Sequence, residues 1–134
     1  MKAVEVVSRL FDGVGVFDKV EGAKLALRHR LFVNGWELGR YLRKLKVGDK
    51  DELLRVKLFL VAFREGVPVG CAIVRDGELS RMFVVFVRKA YRRRGIGTRL
   101  YKRAVKVLKP NRPFASSEGI WDSDRFFWAM RKVK

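Results

Sequence analysis

The chain has 134 residues, with 31 Lys+Arg against 14 Asp+Glu and a formal net charge of +17. That length suits one domain with a buried core, and 49% hydrophobic with 12% aromatic residues excludes a disordered or low-complexity chain. A single cysteine excludes an internal disulfide framework, and one cysteine with one histidine argues against a Cys/His zinc site.

The first 17 residues, MKAVEVVSRLFDGVGVF, are interrupted by Glu5, Ser8, Arg9 and Asp12 and lack a small-residue cleavage pattern, so they do not read as a signal peptide. No uncharged stretch reaches the roughly 18 residues of a spanning helix. A soluble cytoplasmic protein is expected, and the lone Cys71 suits a reducing compartment. The charge favours polyanionic company: nucleic acid, an anionic membrane face or a phosphate-rich ligand.

In chain order, residues 3–7 (AVEVV) read as a first strand. Ala23, Ala26, Leu27 and Leu31 recur at helical spacing, with Asn34-Gly35 as the stop. Leu38, Tyr41, Leu42 and Leu45 form a second apolar stripe ended near Gly48, giving two basic helices joined by a tight turn. A polar stretch over residues 48–52 separates them from a β region. Residues 55–64 (RVKLFLVAFR), 67–75 (VPVGCAIVR) and 79–87 (LSRMFVVFV) read as three antiparallel strands, turned at Glu65-Gly66 and Asp76-Gly77. From Gly97 the period becomes helical through Leu100, Tyr101, Ala104, Val105 and Leu108, with Pro110 beyond. Residues 113–117 (PFASS) read as a short strand, and residues 123–131 as a last helix carrying Phe126, Phe127 and Met130. The order βααβββαβα predicts an α/β fold over residues 1–134, one mainly antiparallel mixed sheet flanked by helices.

The informative stretch is VFVRKAYRRRGIGTRL over residues 85–100. A buried strand enters a basic glycine turn that opens an amphipathic helix. Unpaired amides and the positive end of the macrodipole make such a helix start an anion site. Gly95 and Gly97 let a phosphate approach the backbone, and Arg92, Arg93 and Arg94 add charge at the rim. It is not a P-loop, because no Gly-Lys-Ser/Thr follows, and the dinucleotide fingerprint fails where Leu100 replaces its third glycine.

Arg92-Arg93-Arg94-Gly95-Ile96-Gly97 resembles the Arg/Gln-x-x-Gly-x-Gly/Ala pyrophosphate loop of the GCN5-related N-acetyltransferases. Residues 25–33 (LALRHRLFV) are similar to that family's first helix, and Lys89 stands where its proline is common. The resemblance implies acetyl-CoA, with backbone groups of Val85, Phe86 and Val87 on the pantetheine arm. Amides of the segment Arg93, Arg94, Gly95, Ile96, Gly97 and Thr98 would then hold the pyrophosphate. It further implies a backbone N–H polarising the thioester and direct attack by a substrate amine. The chain departs from the pattern at the family's leaving-group tyrosine, where Phe127 or Trp128 stands.

Glu118 is the best-placed base candidate, beside Ser116 and Ser117, although a capping role suits it too. His29 is a second candidate, weighed against a structural role. Cys71 and Tyr101 read as core, as do Trp36, Trp121 and Trp128 unless they line a pocket. The competing function is a nucleic-acid-binding protein on this fold, because residues 88–109 hold ten Lys/Arg and no acid. Residues 28–46 add six basic residues against Glu37, a second surplus that points to an anionic acceptor.

Overall fold

The computed structural model describes residues 13–77, 80–111 and 114–116. One five-stranded sheet runs in the order β1 (Gly13–Val16), β2 (Val56–Arg64), β3 (Val67–Asp76), β4 (Arg81–Val87) and β5 (Ala115–Ser116). The first four strands pair antiparallel, and β5 lies parallel to β4. Helices α1 (Lys19–Arg28), α2 (Glu37–Lys46) and α3 (Lys50–Arg55) fall between β1 and β2, and α4 (Ile96–Leu108) links β4 to β5. None of these helices is long and apolar enough to cross a membrane.

The mainly antiparallel α/β sheet is as expected, and so are β2, β3 and β4. Glu65 and Gly66 both take positive φ, 52° and 78°, the conformation a two-residue hairpin with right-handed twist requires. Alternate residues of β2 feed opposite faces of the sheet. Phe59, Val61 and Phe63 pack with Leu25, Leu38, Leu42 and Leu45 beneath α1 and α2. Leu58, Leu60 and Ala62 pack with Ile96, Leu100 and Ala104 beneath α4. The basic helices α2 and α4 therefore cover opposite faces.

Several sequence expectations are corrected. The first described strand is Gly13–Val16, whereas residues 3–7 lie outside the described residues. Helix α1 stops at Arg28, six residues before Asn34. Arg30 turns left-handed at φ 53°, so that the Leu31 N–H reaches the Ala26 carbonyl at 2.8 Å and the Arg30 N–H reaches Leu27 at 3.2 Å. This is a Schellman closure without glycine. Residues 29–36 are a loop rather than a tight turn. The polar stretch after Gly48 holds α3, opened by Asp49, whose carboxylate accepts from the Glu52 amide at 2.9 Å. The predicted helix over residues 123–131 lies outside the described residues.

Specific contacts join the helical layer to the sheet. Helix α1 sits close because Gly22 faces the Phe59 ring, where an added Cβ would fall at 2.6 Å. Glu52, 2% exposed, takes both arms of Arg75, Nε at 2.8 Å and Nη2 at 3.0 Å, tying α3 to β3. The Arg75 guanidinium also lies 4.0 Å from the centre of the Tyr41 ring of α2.

Glu52→Leu is expected to destabilise the fold by about 3 kcal/mol, because it strands a mostly buried guanidinium. Adding Arg75→Leu should restore much of that loss, as read by urea unfolding. Gly22→Ala should cost about 1–3 kcal/mol by overpacking against Phe59, read by the same urea unfolding.

Candidate functional site

The site grows from the end of β4. The Arg88 N–H donates to the Val69 carbonyl of β3 at 2.8 Å. Strand alternation then turns the polar groups of Phe86 towards β3 and those of Val85 and Val87 towards the β5 side. Among the described residues, β5 pairs with Met82 and Phe83. The Val87 carbonyl is taken instead by Arg92 Nε at 2.8 Å. Arg92 reaches it because a single 3-10 turn, Lys89–Tyr91, reverses the chain, closed by Tyr91 N–H to Arg88 C=O at 2.8 Å. The Arg92 guanidinium also rests 5.7 Å from the centre of the Phe86 ring.

Gly95 follows at φ 82°, in the left-handed region, and caps α4 without a side chain. A Cβ there would meet nothing within 4 Å, so conformation rather than crowding selects glycine. The first bond inside α4 is Arg99 N–H to Gly95 C=O at 3.0 Å. The amides of Ile96, Gly97 and Thr98 have no carbonyl a turn back, and no side chain caps them. The buried Ile96 side chain anchors this turn in the core beneath α4. Arg93, itself at φ 64°, and Arg94 stand exposed beside these amides. Open amides and the helix dipole, with two exposed arginines just before them in the chain, give this turn the chemistry of an anion site.

Residues 27–113 match the model of the Acetyltransferase (GNAT) family. The chain belongs to that family. Solved structures share the fold at low identity. An aminoglycoside acetyltransferase from an uncultured soil metagenomic sample, solved with sisomicin, superposes with a TM-score of 0.55 at 16% identity, over 92% of this chain and 88% of that one. PaiA N-acetyltransferase from Thermoplasma acidophilum, solved with coenzyme A, gives 0.52 at 13% identity, over 90% and 88%. An aminoglycoside 6'-N-acetyltransferase from Acinetobacter haemolyticus gives 0.51 at 18%, over 90% and 88%. Comparison with curated protein sequences gave no significant match.

In this GNAT chain the loop residues named from sequence come together as a unit. Val85, Phe86 and Val87 form the buried end of β4, and Gly95, Ile96, Gly97 and Thr98 form the start of α4. Arg92 differs from its three-arginine reading, because it turns back onto the strand while Arg93 and Arg94 face outward. Glu118, Phe127 and Trp128 lie outside the described residues. Tyr101 is 4% exposed and meets Phe83 and Phe114 edge-on, at 5.3 and 5.8 Å between ring centres. Trp36 is partly buried against the core beneath α1 and α2.

The other flank of β4 was not visible in the sequence. Arg88 Nη2 donates to the His29 carbonyl at 2.7 Å across 59 residues. Cys71 Sγ lies 3.5 Å from the Leu31 carbonyl, in hydrogen-bond contact. These contacts lay the segment after α1 over the ends of β3 and β4. Burial lowers the His29 pKa, and the nearby positive charges of Arg88 and Arg28 lower it further. The imidazole is thus held neutral more firmly than a free histidine. The Gly70 backbone passes so close that a Cβ would sit 2.9 Å from the Phe86 carbonyl oxygen.

Burial pushes the Cys71 thiol up to about 12, and the residue is 0% exposed. It should therefore resist aromatic disulfide reagents at pH 8 in the native state and react only on unfolding. For His29 the folded-state pKa is depressed, so the unfolded chain takes the proton first. Its contribution is complete above the unfolded value near 6.5 and is lost as pH falls from there through the lower folded value. His29→Asn should flatten the dependence of unfolding free energy on pH in that window.

Proposed function

We propose that residues 1–134 act as one domain, an acetyl-CoA-dependent N-acetyltransferase whose acceptor is an amine that also carries negative charge. The observation that carries the cofactor reading is the open start of α4. Three adjacent amides, a left-handed Gly95 and the exposed Arg93 and Arg94 fit a pyrophosphate. Acetyl-CoA would supply an acetyl group activated as a thioester. The residues that would hold it are Gly95, Ile96, Gly97 and Thr98 through their amides, Val85 through its polar groups on the side away from β3, and Val87 through its N–H, its carbonyl being held by Arg92.

The chain's own residues prepare the acceptor side. An amine must lose a proton before it attacks, and the half-buried His29 imidazole is kept neutral beside the end of β4. Glu118, close behind β5 in the sequence, is the alternative base. No tyrosine stands at 126–128, so departure of the thiolate does not use the family's usual phenol.

Charge supports the choice of acceptor. The fold relatives include aminoglycoside acetyltransferases, and aminoglycosides are polycations. Here Arg88, just past β4, holds the His29 carbonyl, the exposed Arg28 and Arg30 flank His29 in the chain, and Arg40, Arg43, Lys44 and Lys46 stand exposed on α2. That field repels a polycation and favours an anionic amine.

Calorimetric titration with acetyl-CoA should give saturable binding that Gly95→Val weakens by roughly tenfold or more, about 1.4 kcal/mol. No binding at millimolar ligand overturns the cofactor reading. With turnover followed as released thiol, an acidic peptide amine should exceed an aminoglycoside by about tenfold at low salt, the effect of about 1.4 kcal/mol. The reverse order overturns the anionic acceptor.

A further inference from the structure

The surface of α4 carries more positive charge than a bound coenzyme uses. Arg99, Lys102, Arg103, Lys106 and Lys109 are all exposed along it. Spacings of three and four residues place Arg99, Lys102, Arg103 and Lys106 along one side of the helix, and Lys109 follows at its left-handed C-cap. None forms a salt bridge to a carboxylate among the described residues. The stripe runs for about 15 Å, from the 1.5 Å rise per residue. Lys106 and Lys109 lie roughly 15 Å or more along the axis from Gly95, beyond the Debye length of about 8 Å at physiological salt. They therefore do not serve a phosphate held at the loop. The opposite face of the sheet is covered by α1 and α2, so the stripe is also separate from the acceptor side.

We infer that the outer face of α4 binds the phosphate backbone of a nucleic-acid duplex, without reading its sequence. Two features select this partner. Duplex DNA offers a negative charge about every 1.7 Å, so a 15 Å stripe of five cations faces an excess of phosphates. The stripe also lacks the aromatic platform that single strands use, because Tyr101, the aromatic residue of α4, is buried at 4% exposure. This inference stands apart from acetyl transfer and holds whether or not acetyl-CoA binds.

The test is fluorescence anisotropy with a labelled duplex DNA of about 20 base pairs, titrated from 50 to 200 mM salt. Five contacts predict a log–log slope near −4.5 and a loss of affinity of roughly two to three orders of magnitude. Lys102→Gln with Lys106→Gln should reduce the slope by about two, at about 0.9 per phosphate contact. The same variant should keep the wild-type melting temperature and acetyl-CoA affinity, which separates loss of the stripe from loss of the fold or of the coenzyme site. A duplex RNA arm is expected to follow the DNA. Tighter binding to a single strand overturns the proposal, as does an unchanged slope in the variant. Binding to poly-glutamate without binding to either duplex also overturns it, in favour of an acidic protein partner.

Discussion

Val87 ends β4 with its carbonyl on the side away from β3, and Arg92 Nε takes that carbonyl at 2.8 Å. A buried carbonyl left unpaired costs about 1–3 kcal/mol. The chain must therefore fold back within five residues, and the 3-10 turn Lys89–Tyr91 does so. Once Arg92 is fixed, Arg93 and Gly95 have to turn left-handed to launch α4 back across the sheet. The uncapped amides at the start of α4 are a product of that constraint. Gly70 contributes from the other edge, since its missing Cβ lets β3 approach the Phe86 carbonyl. This turn is thus assembled by backbone groups and their partners, with one arginine of the triplet turned back onto the strand and two left exposed.

Much of this was legible in the sequence where the signal was local. The apolar runs of β2, β3 and β4 and the stripe of α4 depend on near neighbours, and the glycine turn announced itself by composition. The two Schellman closures show where legibility ends. After α2, Gly48 takes φ 75°, Gly48 N–H reaches Leu45 at 3.0 Å and Asp49 N–H reaches Lys44 at 3.0 Å. A glycine advertised that ending. After α1 the same geometry falls on Arg30, and the more obvious Asn34-Gly35 signal drew the boundary too late. Strand β1, with sequence GVGV, carries too little side chain to read as a strand, and its place is set by pairing with β2. Helix α3 has only six residues, fewer than periodicity can reveal. The Glu52–Arg75 and Arg88–His29 contacts span 23 and 59 residues, beyond any local pattern.

The division of the core into two clusters also sorts the chemistry. The glycine loop opens onto the α4 layer, while the segment after α1 belongs to the opposite layer. Strand β4 lies between them and presents its end to both. The opposite layers also separate the surplus charges, giving α2 and α4 independent surfaces.

Covering both faces of one sheet with cationic helices has an effect on encounter as well as on binding. Anions are drawn towards either side of the molecule, so the long-range field raises arrival rates while doing little to orient what arrives. A coenzyme, an acceptor and a polyanion would all be concentrated near the surface alike. Discrimination then falls to short-range features: the amides after Gly95, the neutral imidazole of His29 and the spacing of cations along α4. Such a protein would collect its ligands by charge and sort them by shape, and rising ionic strength would weaken the collecting more than the sorting.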